Sequence, residues 1–398
     1  MDRPKLANGR GSTSLIWIIV AGLAIIFGGL LISTLAPALL PTVGSAEAQQ
    51  IDGLFQFMLA IAGMVFLLVQ GAIAFSVIRF RAKKDDIADG PPIHGNTTLE
   101  FVWTLIPAII VVVITLYAFS VFTSIRAPQP NEQEVHAVGQ RFAWSFNYVT
   151  PADEIPAEFD RSAIPEDVQA ILETEGEIRF SSPQLHTWVG QPVHVTLETQ
   201  DVNHAFWIPG MRVKQDLLAG RITDIRFTPI EQGVYRIVCA ELCGSGHGDM
   251  AGRVTESGDL AGAWLIVHPD EETFMREFYI PELYPVVYPP PPGAERGEQI
   301  LRSGQYPCFS CHTLSDLGWT GTQGPPLDGV AARTQRLEAT GAETMEEYLI
   351  NSIRHPGAYV VPGYNNIMPQ FNDEPNESNY MPDADLQAIV DYLEEQME

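Results

Sequence analysis

Three long apolar runs occupy the first third of the chain, and none of them contains a charged residue. They span residues 15–40, 53–78 and 101–125. About 25 residues of α-helix rise roughly 37 Å, which is enough to cross a hydrocarbon core of roughly 30 Å. The pattern therefore predicts three membrane-length helices, and residues 49–126 form a transmembrane hairpin.

The first run allows two interpretations. It follows three basic residues, and the Ala-Glu-Ala triplet at residues 46–48 has the form of a signal-peptidase site. Its apolar stretch is long for a signal peptide, where about 7–15 residues are usual, and this favours a retained helix. Residues 1–48 are therefore either a retained helix or a signal peptide.

Basic residues set the predicted orientation. The chain begins with positive charges, and four more follow the second run: Arg79, Arg81, Lys83 and Lys84. Both clusters are expected in the cytoplasm, so the third run returns the chain to the extracytoplasmic side. Glu100 stands directly before that run, where an acid is usually only interfacial.

The pattern after residue 126 changes from apolar runs to short strands. Residues 127–280 contain β-branched stretches separated by Gly and Pro, which is typical of a sandwich or a Greek-key barrel. An acidic insertion at residues 151–177 includes one short predicted helix, residues 165–174. The predicted strands are residues 142–149, 192–198, 222–229, 234–239 and 263–267.

A proline run divides the rest of the chain. Residues 281–293 include four consecutive prolines and predict an extended, semi-rigid linker. Residues 294–398 then show helical apolar spacing and predict a small all-α domain. The predicted helices are residues 295–303, 345–353 and 383–395.

Charge separates the membrane part from the rest. From Ala127 onward there are 15 Lys and Arg against 42 Asp and Glu, a balance of −27, while the whole chain carries −26. Such a surface repels phosphate, which excludes a nucleic-acid binder acting through its own surface. It would steer a basic partner, although solubility alone explains the charge equally well.

The first cysteine pair lies in a set of soft metal ligands. Cys239, Cys243, His247 and Met250 fall within twelve residues. Thiolate, imidazole and thioether together suit copper, and two thiolates can bridge two ions. That arrangement needs a second imidazole, for which His204 is the candidate. A structural zinc site is the alternative, which the methionine and the glycine-rich loop disfavour.

The second cysteine pair belongs to a haem motif. Cys308-Phe-Ser-Cys311-His312 has the spacing for covalent attachment of haem c. A chance pair or a zinc knuckle does not require the adjacent histidine. Met/His ligation is the expected pairing at the iron. Met368, in a segment that resembles the Met-Pro-x-Phe of class I cytochromes c, is the favoured sixth ligand. Met381 is its rival, and Met345 is a weaker candidate than either.

The copper string resembles the dinuclear copper (CuA) loop of cytochrome c oxidase subunit II. Three other strings look like that family, so that the likeness covers residues 50–268: residues 100–107, 201–204 and 215–221. The resemblance implies that Cys239 and Cys243 bridge both coppers. It also implies that His204 and Met250 complete one ion, and that His247 and the Glu241 carbonyl complete the other.

The resemblance implies further roles. The Glu241 side chain would reach a magnesium shared with subunit I, because a hard cation prefers oxygen ligands. Glu100 would mark the mouth of a proton pathway, and Asp216 and Arg221 would be contact groups around the copper or subunit I.

One stretch departs from the family pattern. Members that take electrons from free cytochrome c carry a Trp-aromatic-Trp cluster, whereas here Phe142 and Ala143 precede Trp144. This puts the usual donor site in doubt. Trp144 is either part of an electron path or a packed core aromatic.

The chain as a whole resembles subunit II of heme-copper oxidases in which that subunit carries its own cytochrome c. The implied protein is a multi-pass protein of a bacterial cell membrane, with both metal domains outside. Electrons would pass from an external donor, such as a basic cytochrome or small copper protein, through haem c and CuA to subunit I, among other oxidase subunits. Alternatives are a subunit of a nitric oxide reductase and a membrane-tethered copper carrier.

Overall fold

The computed structural model describes residues 10–81, 95–254, 258, 260–374 and 379–397. Side chains are described from residue 16 onward. The chain forms two compact units, which are residues 1–43 with 47–127, and residues 44–46 with 128–398.

The first unit contains three helices, α1 (Arg10–Leu35), α2 (Ala46–Arg79) and α3 (Thr97–Ile125). Each is long and apolar enough to cross a membrane, as the pattern predicts. The basic residues Arg3, Lys5, Lys83 and Lys84, which set the predicted orientation, lie outside the described residues.

Glycines bring α1 and α2 close together. A Cβ at Gly29 would overlap the Met64 side chain, and a Cβ at Gly63 would lie 3.2 Å from the Gly29 Cα. Small residues of this kind allow two membrane helices to approach closely.

The second unit begins with an all-β, cupredoxin-like part, called here the β domain (residues 128–288). A five-stranded sheet has the order β3-β2-β1-β5-β8, and two three-stranded sheets have the orders β10-β6-β7 and β4-β13-β9. The strands are β1 (Gln133–Gln140), β2 (Ala143–Pro151), β3 (Glu177–Ser182), β4 (Leu185–Trp188), β5 (Val193–Thr199), β6 (His204–Ile208), β7 (Val213–Leu217), β8 (Thr223–Phe227), β9 (Gly233–Arg236), β10 (Val238–Cys239), β11 (Arg253–Val254), β12 (Leu260–Ala261) and β13 (Trp264–His268).

Alternation along the strands builds the core of the β domain. In β5, Val193, Val195 and Leu197 are buried, and the residues between them lie nearer the surface. This is the period of two that a half-buried strand requires. The predicted strand at residues 234–239 is interrupted at Ile237, which is fully buried and donates to the Ala263 carbonyl.

Three helices accompany the β domain: α4 (Glu166–Glu175), α5 (Glu271–Phe274) and α6 (Ile280–Val287). Helix α4 confirms the helix predicted in the acidic insertion. A π-helical turn, Met275–Tyr279, joins α5 to α6.

Helix α6 corrects the predicted linker at residues 281–293. Its first part is helical rather than extended, and Leu283 and Val287 are fully buried in the core of the β domain. Spacing at i and i+4 places both side chains on one face of a helix, and Pro281 is tolerated because it stands in the first turn. Only residues 288–293 remain as the connection.

The helical domain (residues 294–397) contains α7 (Ala294–Ser303), α8 (Gln335–Thr340), α9 (Met345–Arg354) and α10 (Asp383–Glu394), with the short pair β14 (Thr313–Leu314) and β15 (Trp319–Thr320). All three predicted helices are present. Helices α7 and α10 cross closely at Gly297, where a Cβ would overlap the Ala388 carbonyl.

Candidate metal centres

The first candidate site lies where two strands of one sheet meet a loop. His204 begins β6, and Cys239 ends the neighbouring strand β10, where it pairs with Phe206. Cys243 lies on the following loop, and a turn at His247–Met250 closes it. Strand pairing thus brings together His204 and Cys239, which are 35 positions apart in the chain. The loop and its closing turn supply the other candidate ligands.

Donor atoms of all the predicted copper ligands converge here. Cys243 Sγ lies 3.4 Å from His247 Nδ1 and 3.4 Å from Met250 Sδ. Cys239 Sγ lies 3.8 Å from His204 Nδ1 and 3.2 Å from the Glu241 carbonyl oxygen. The donor atoms of His204, Cys239 and Cys243 are all within 4.8 Å of one another. Two thiols among imidazoles, a thioether and a carbonyl fit a dinuclear copper site.

A carboxylate orients the buried histidine. His204 is fully buried, and its Nε2 lies 2.8 Å from Asp201 Oδ1, so its Nδ1 faces the thiols. Burial alone would lower the pKa of His204, but the hydrogen bonds with Asp201 and Cys239 outweigh it and raise that pKa. Carboxylates that fix the ring of a metal-binding histidine are common around metal sites.

The thiols of Cys239 and Cys243 differ in how strongly they bind a proton. A hydrogen bond from Cys243 lowers the pKa of Cys239 and raises that of Cys243. Because a bound metal needs thiolates, metal binding would displace the remaining proton.

The other predicted residues around this site have different environments. Trp144 is buried, with its ring edge-on to His204 at 6.0 Å and to Phe206 at 5.3 Å between centroids. It is therefore part of the core behind His204. The side chain of Glu241 is exposed, and Glu100 is an exposed residue whose Oε1 accepts from the Asn96 backbone at the start of α3. Asp216 and Arg221 are also exposed.

The second candidate site is a cavity lined almost entirely by the helical domain. Cys308, Cys311, His312 and Met368 all line it. His312 Nδ1 lies 2.7 Å from the Pro325 carbonyl, which leaves Nε2 as the free ring nitrogen. A Cβ at Gly324 would lie 2.7 Å from the His312 ring, so glycine is needed for this close approach.

The chemistry of the cavity fits a covalent haem. Burial lowers the pKa of His312 and raises that of Cys308 to about 12, so the imidazole and this thiol are uncharged. Met381 is fully buried in the core and is absent from the described lining of the cavity, and Met345 is absent from it as well. The geometry therefore separates Met368 from both rivals.

The two sites face each other across a contact between the β domain and the helical domain. Cys311 and Ile367 pack against the core of the β domain. Ser245, on the loop at residues 240–246 that is called here the copper-ligand loop, donates to Gln323 at 3.4 Å. A Cβ at Gly304 would lie 3.1 Å from the Pro183 side chain. A second cavity is lined by residues of both domains.

Two residues of this region have roles that were not predicted from the sequence. They are Asp201, the partner of His204, and Arg141, whose backbone N and Nε both donate to Asp201 Oδ2 at 2.8 and 3.0 Å. The signals for Asp201 were its place in a string that resembles the family and its spacing of three from a candidate ligand histidine.

Comparison with known proteins matches all three parts of the chain. Family models described as cytochrome c oxidase subunit II, transmembrane domain and periplasmic domain, match residues 33–121 and 133–257, and one described as cytochrome c matches residues 294–396. Cytochrome c oxidase subunit 2 of Synechocystis sp. is 37% identical over 53% of this chain and 70% of its own length. The protein of that name from Thermostichus vulcanus is 34% identical over 60% and 78%. That from Alkalihalophilus pseudofirmus is 27% identical over 87% of both chains.

Proposed function

Because the chain belongs to the cytochrome c oxidase subunit II family, we propose that it is the electron-accepting subunit of a heme-copper terminal oxidase. Electrons from an external donor pass through haem c and dinuclear copper to subunit I, where oxygen is reduced to water and protons are pumped. The observation that carries the proposal is that both candidate sites lie in one compact unit, with their walls in contact.

The convergence of donor atoms supports the predicted copper ligands. As the family resemblance implies, Cys239 and Cys243 would be shared by two copper ions, His204 with Met250 would complete one, and His247 with the Glu241 carbonyl would complete the other. The depth of the site supports this role, since His204, Cys239 and Met250 are at most 2% exposed. A carrier that exchanges copper needs accessible ligands, so the same burial disfavours the copper-carrier alternative.

The lining of the cavity supports the predicted haem ligands. Cys308 and Cys311 would attach the haem, and His312 and Met368 would bind its iron. Each metal group, when bound, gains or loses one electron. The chain holds both groups in a fixed environment, so that little rearrangement accompanies each electron.

The contact between the domains supports an electron route through the helical domain. Phe142, at the position where the family pattern has its first Trp, is only 3% exposed and packs against the copper-ligand loop at Gly244 and Gly246. It also lines the cavity between the two domains. In this proposal an external donor delivers electrons to the haem, because the domain that holds the haem cavity contacts the copper-ligand loop at Ser245.

The remaining assignments rest on family membership. The chain is a membrane protein with an extracytoplasmic domain and a partner of subunit I; we place it in a bacterial cell membrane. The exposed Glu241 side chain is free to meet a magnesium at the contact with subunit I, and the position of Glu100 before α3 suits the mouth of a proton pathway. The close contact at Gly29 and Gly63 suits a retained first helix.

Metal and haem content test the proposal. The purified complex should contain two copper ions of CuA type and one covalent haem c per copy of this chain, in addition to the metals of subunit I. Cys308→Ala with Cys311→Ala should lose the covalent haem and keep the CuA electron paramagnetic resonance (EPR) signal. One zinc in place of the copper pair would contradict the assignment. Reduction of nitric oxide without oxygen uptake would favour the nitric oxide reductase alternative.

A further inference from the structure

Arg141 belongs to the β domain but forms part of the haem cavity. It lies in the turn between β1 and β2, and its side chain is 40% exposed. It lines the cavity together with residues such as Cys311 and Gln323. Every other described residue of that lining belongs to the helical domain. A single side chain thus reaches from one metal-binding domain into the cavity of the other.

Hydrogen bonds connect Arg141 to His204, one of the candidate copper ligands. Its backbone N and its Nε donate to Asp201 Oδ2 at 2.8 and 3.0 Å. His204 Nε2 lies 2.8 Å from the other oxygen, Oδ1. The ring of His204 then presents Nδ1 to Cys239 Sγ. Three residues therefore form an unbroken path from the haem cavity to a copper ligand.

The middle residue of this path is held firmly. Val202 N donates to Asp201 Oδ1 at 2.7 Å, in addition to the bonds from Arg141 and His204. Both carboxylate oxygens of Asp201 are therefore engaged, Oδ1 with Val202 and His204 and Oδ2 with Arg141. A carboxylate between a guanidinium and an imidazole makes charge-assisted hydrogen bonds, which are short and strong.

Electron tunnelling is slower across a gap between non-bonded atoms than along covalent or hydrogen-bonded atoms. A competing route runs through Phe142, which contacts the copper-ligand loop by packing alone and lines the other cavity between the domains. The route through Arg141 offers hydrogen bonds at both of its links.

Building on the proposed function, we propose that Arg141 couples the two metal centres through Asp201 and His204. With both groups bound, Arg141 would contact the haem and donate to Asp201, and the hydrogen-bonded path would carry one electron from the ferrous haem to the oxidised copper pair. The haem would lose one electron, the copper pair would gain it, and no proton would move.

The test injects one electron into the haem of the purified complex with a photoexcited ruthenium reagent and follows haem oxidation and copper reduction by absorbance. Arg141→Gln should slow this transfer several-fold. Its copper EPR spectrum and the copper midpoint potential should stay close to those of the wild type, because the backbone N of residue 141 still holds Asp201. The haem midpoint potential is measured as well, so that the rates are compared at equal driving force. Arg141→Lys should also be slow, because lysine keeps the charge but lacks the Nε donor.

Arg253→Gln is the matched control. Arg253 has a similar exposure, 38%, pairs with Asp249 at 3.1 Å and lines the second interdomain cavity rather than the haem cavity. The Arg253→Gln complex should transfer electrons at the wild-type rate. If this control were as slow as Arg141→Gln, docking between the domains would explain the slowing and the proposal would be overturned. The proposal would also be overturned by an unchanged transfer rate in Arg141→Gln, or by a wild-type rate in Arg141→Lys. It would be overturned as well if altered EPR spectra or midpoint potentials accounted for the slowing. Failure of the proposed function itself is distinct, since the wild type would then lack the haem or copper signal.

Discussion

At the scale of single residues, the sixth haem ligand is the sharpest assignment. Met368 lines the haem cavity, whereas Met381 is fully buried in the core. Met368→Ala should therefore give a high-spin spectrum or one with another ligand, and a lower haem potential, because Met/His ligation raises it. Met381→Ala is the control and should keep the low-spin spectrum while losing stability through the cavity it creates. Visible absorption of the oxidised protein decides, and the reverse result would make Met381 the ligand.

Local strings made most ligands predictable. The candidate ligands at residues 239–250 and 308–312 lie close together in the chain, so residue type and spacing were enough to propose them. The hydrogen bonds of Asp201 with Arg141 span 60 residues and depend on the folded sheet. The path from Arg141 to His204 therefore needed the structure.

At the scale of elements, a pair of histidines helps to hold the last helical segment of the β domain against its sheet. His186 Nδ1 on β4 lies 3.1 Å from His268 Nε2 on β13, and the His186 ring stacks on Phe278 at 3.7 Å between centroids. Tyr148 OH accepts from the His186 backbone N at 2.7 Å. These contacts fasten the turn before α6 to the sheet.

This pair predicts a loss of stability in mild acid. Burial, and then repulsion from His268, lowers the pKa of His186 to about 3, below its ordinary value of 6.5. As the pH falls, the unfolded chain therefore binds this proton at a higher pH than the folded chain does. The free energy of unfolding is fully present above about pH 6.5 and falls as the pH drops towards 3. It falls by up to about 1.4 kcal/mol per pH unit. His186→Phe should flatten this slope in thermal melts followed by copper absorbance. His355→Gln, at an exposed histidine, should keep the wild-type slope, and a flattened slope there would contradict the assignment.

Helix α6 shows why the linker was only partly predictable. Four consecutive prolines correctly indicated a connection, but they begin after Tyr288. The two prolines before them stand within a helix whose Leu283 and Val287 fill the core of the β domain. Tertiary burial outweighed the local preference of proline for an extended chain. A truncation after Pro281 would therefore damage the copper site, whereas one after Tyr288 should leave it intact.

At the scale of the whole molecule, charge and domain contact together define how a donor is received. The part from Ala127 onward carries a balance of −27, so a basic donor should be steered towards it, and its rate should fall steeply with salt. Composition predicts this attraction. Composition does not predict which domain receives the electrons, because that depends on the contact between the two domains. This contact, seen in the packing of Cys311 and Ile367 on the β domain, arises only in the folded chain.

Steady-state oxygen uptake with a basic cytochrome donor tests the central claim that the helical domain receives electrons for the copper site. The complex with the full chain is compared with one truncated after Tyr288, across ionic strength, once both have been shown to contain copper reducible by a small mediator. The truncated complex should oxidise the donor far more slowly, and the full complex should lose rate as salt rises. Equal rates for the two complexes would show that the copper domain accepts electrons directly and that the haem domain is not an obligatory relay.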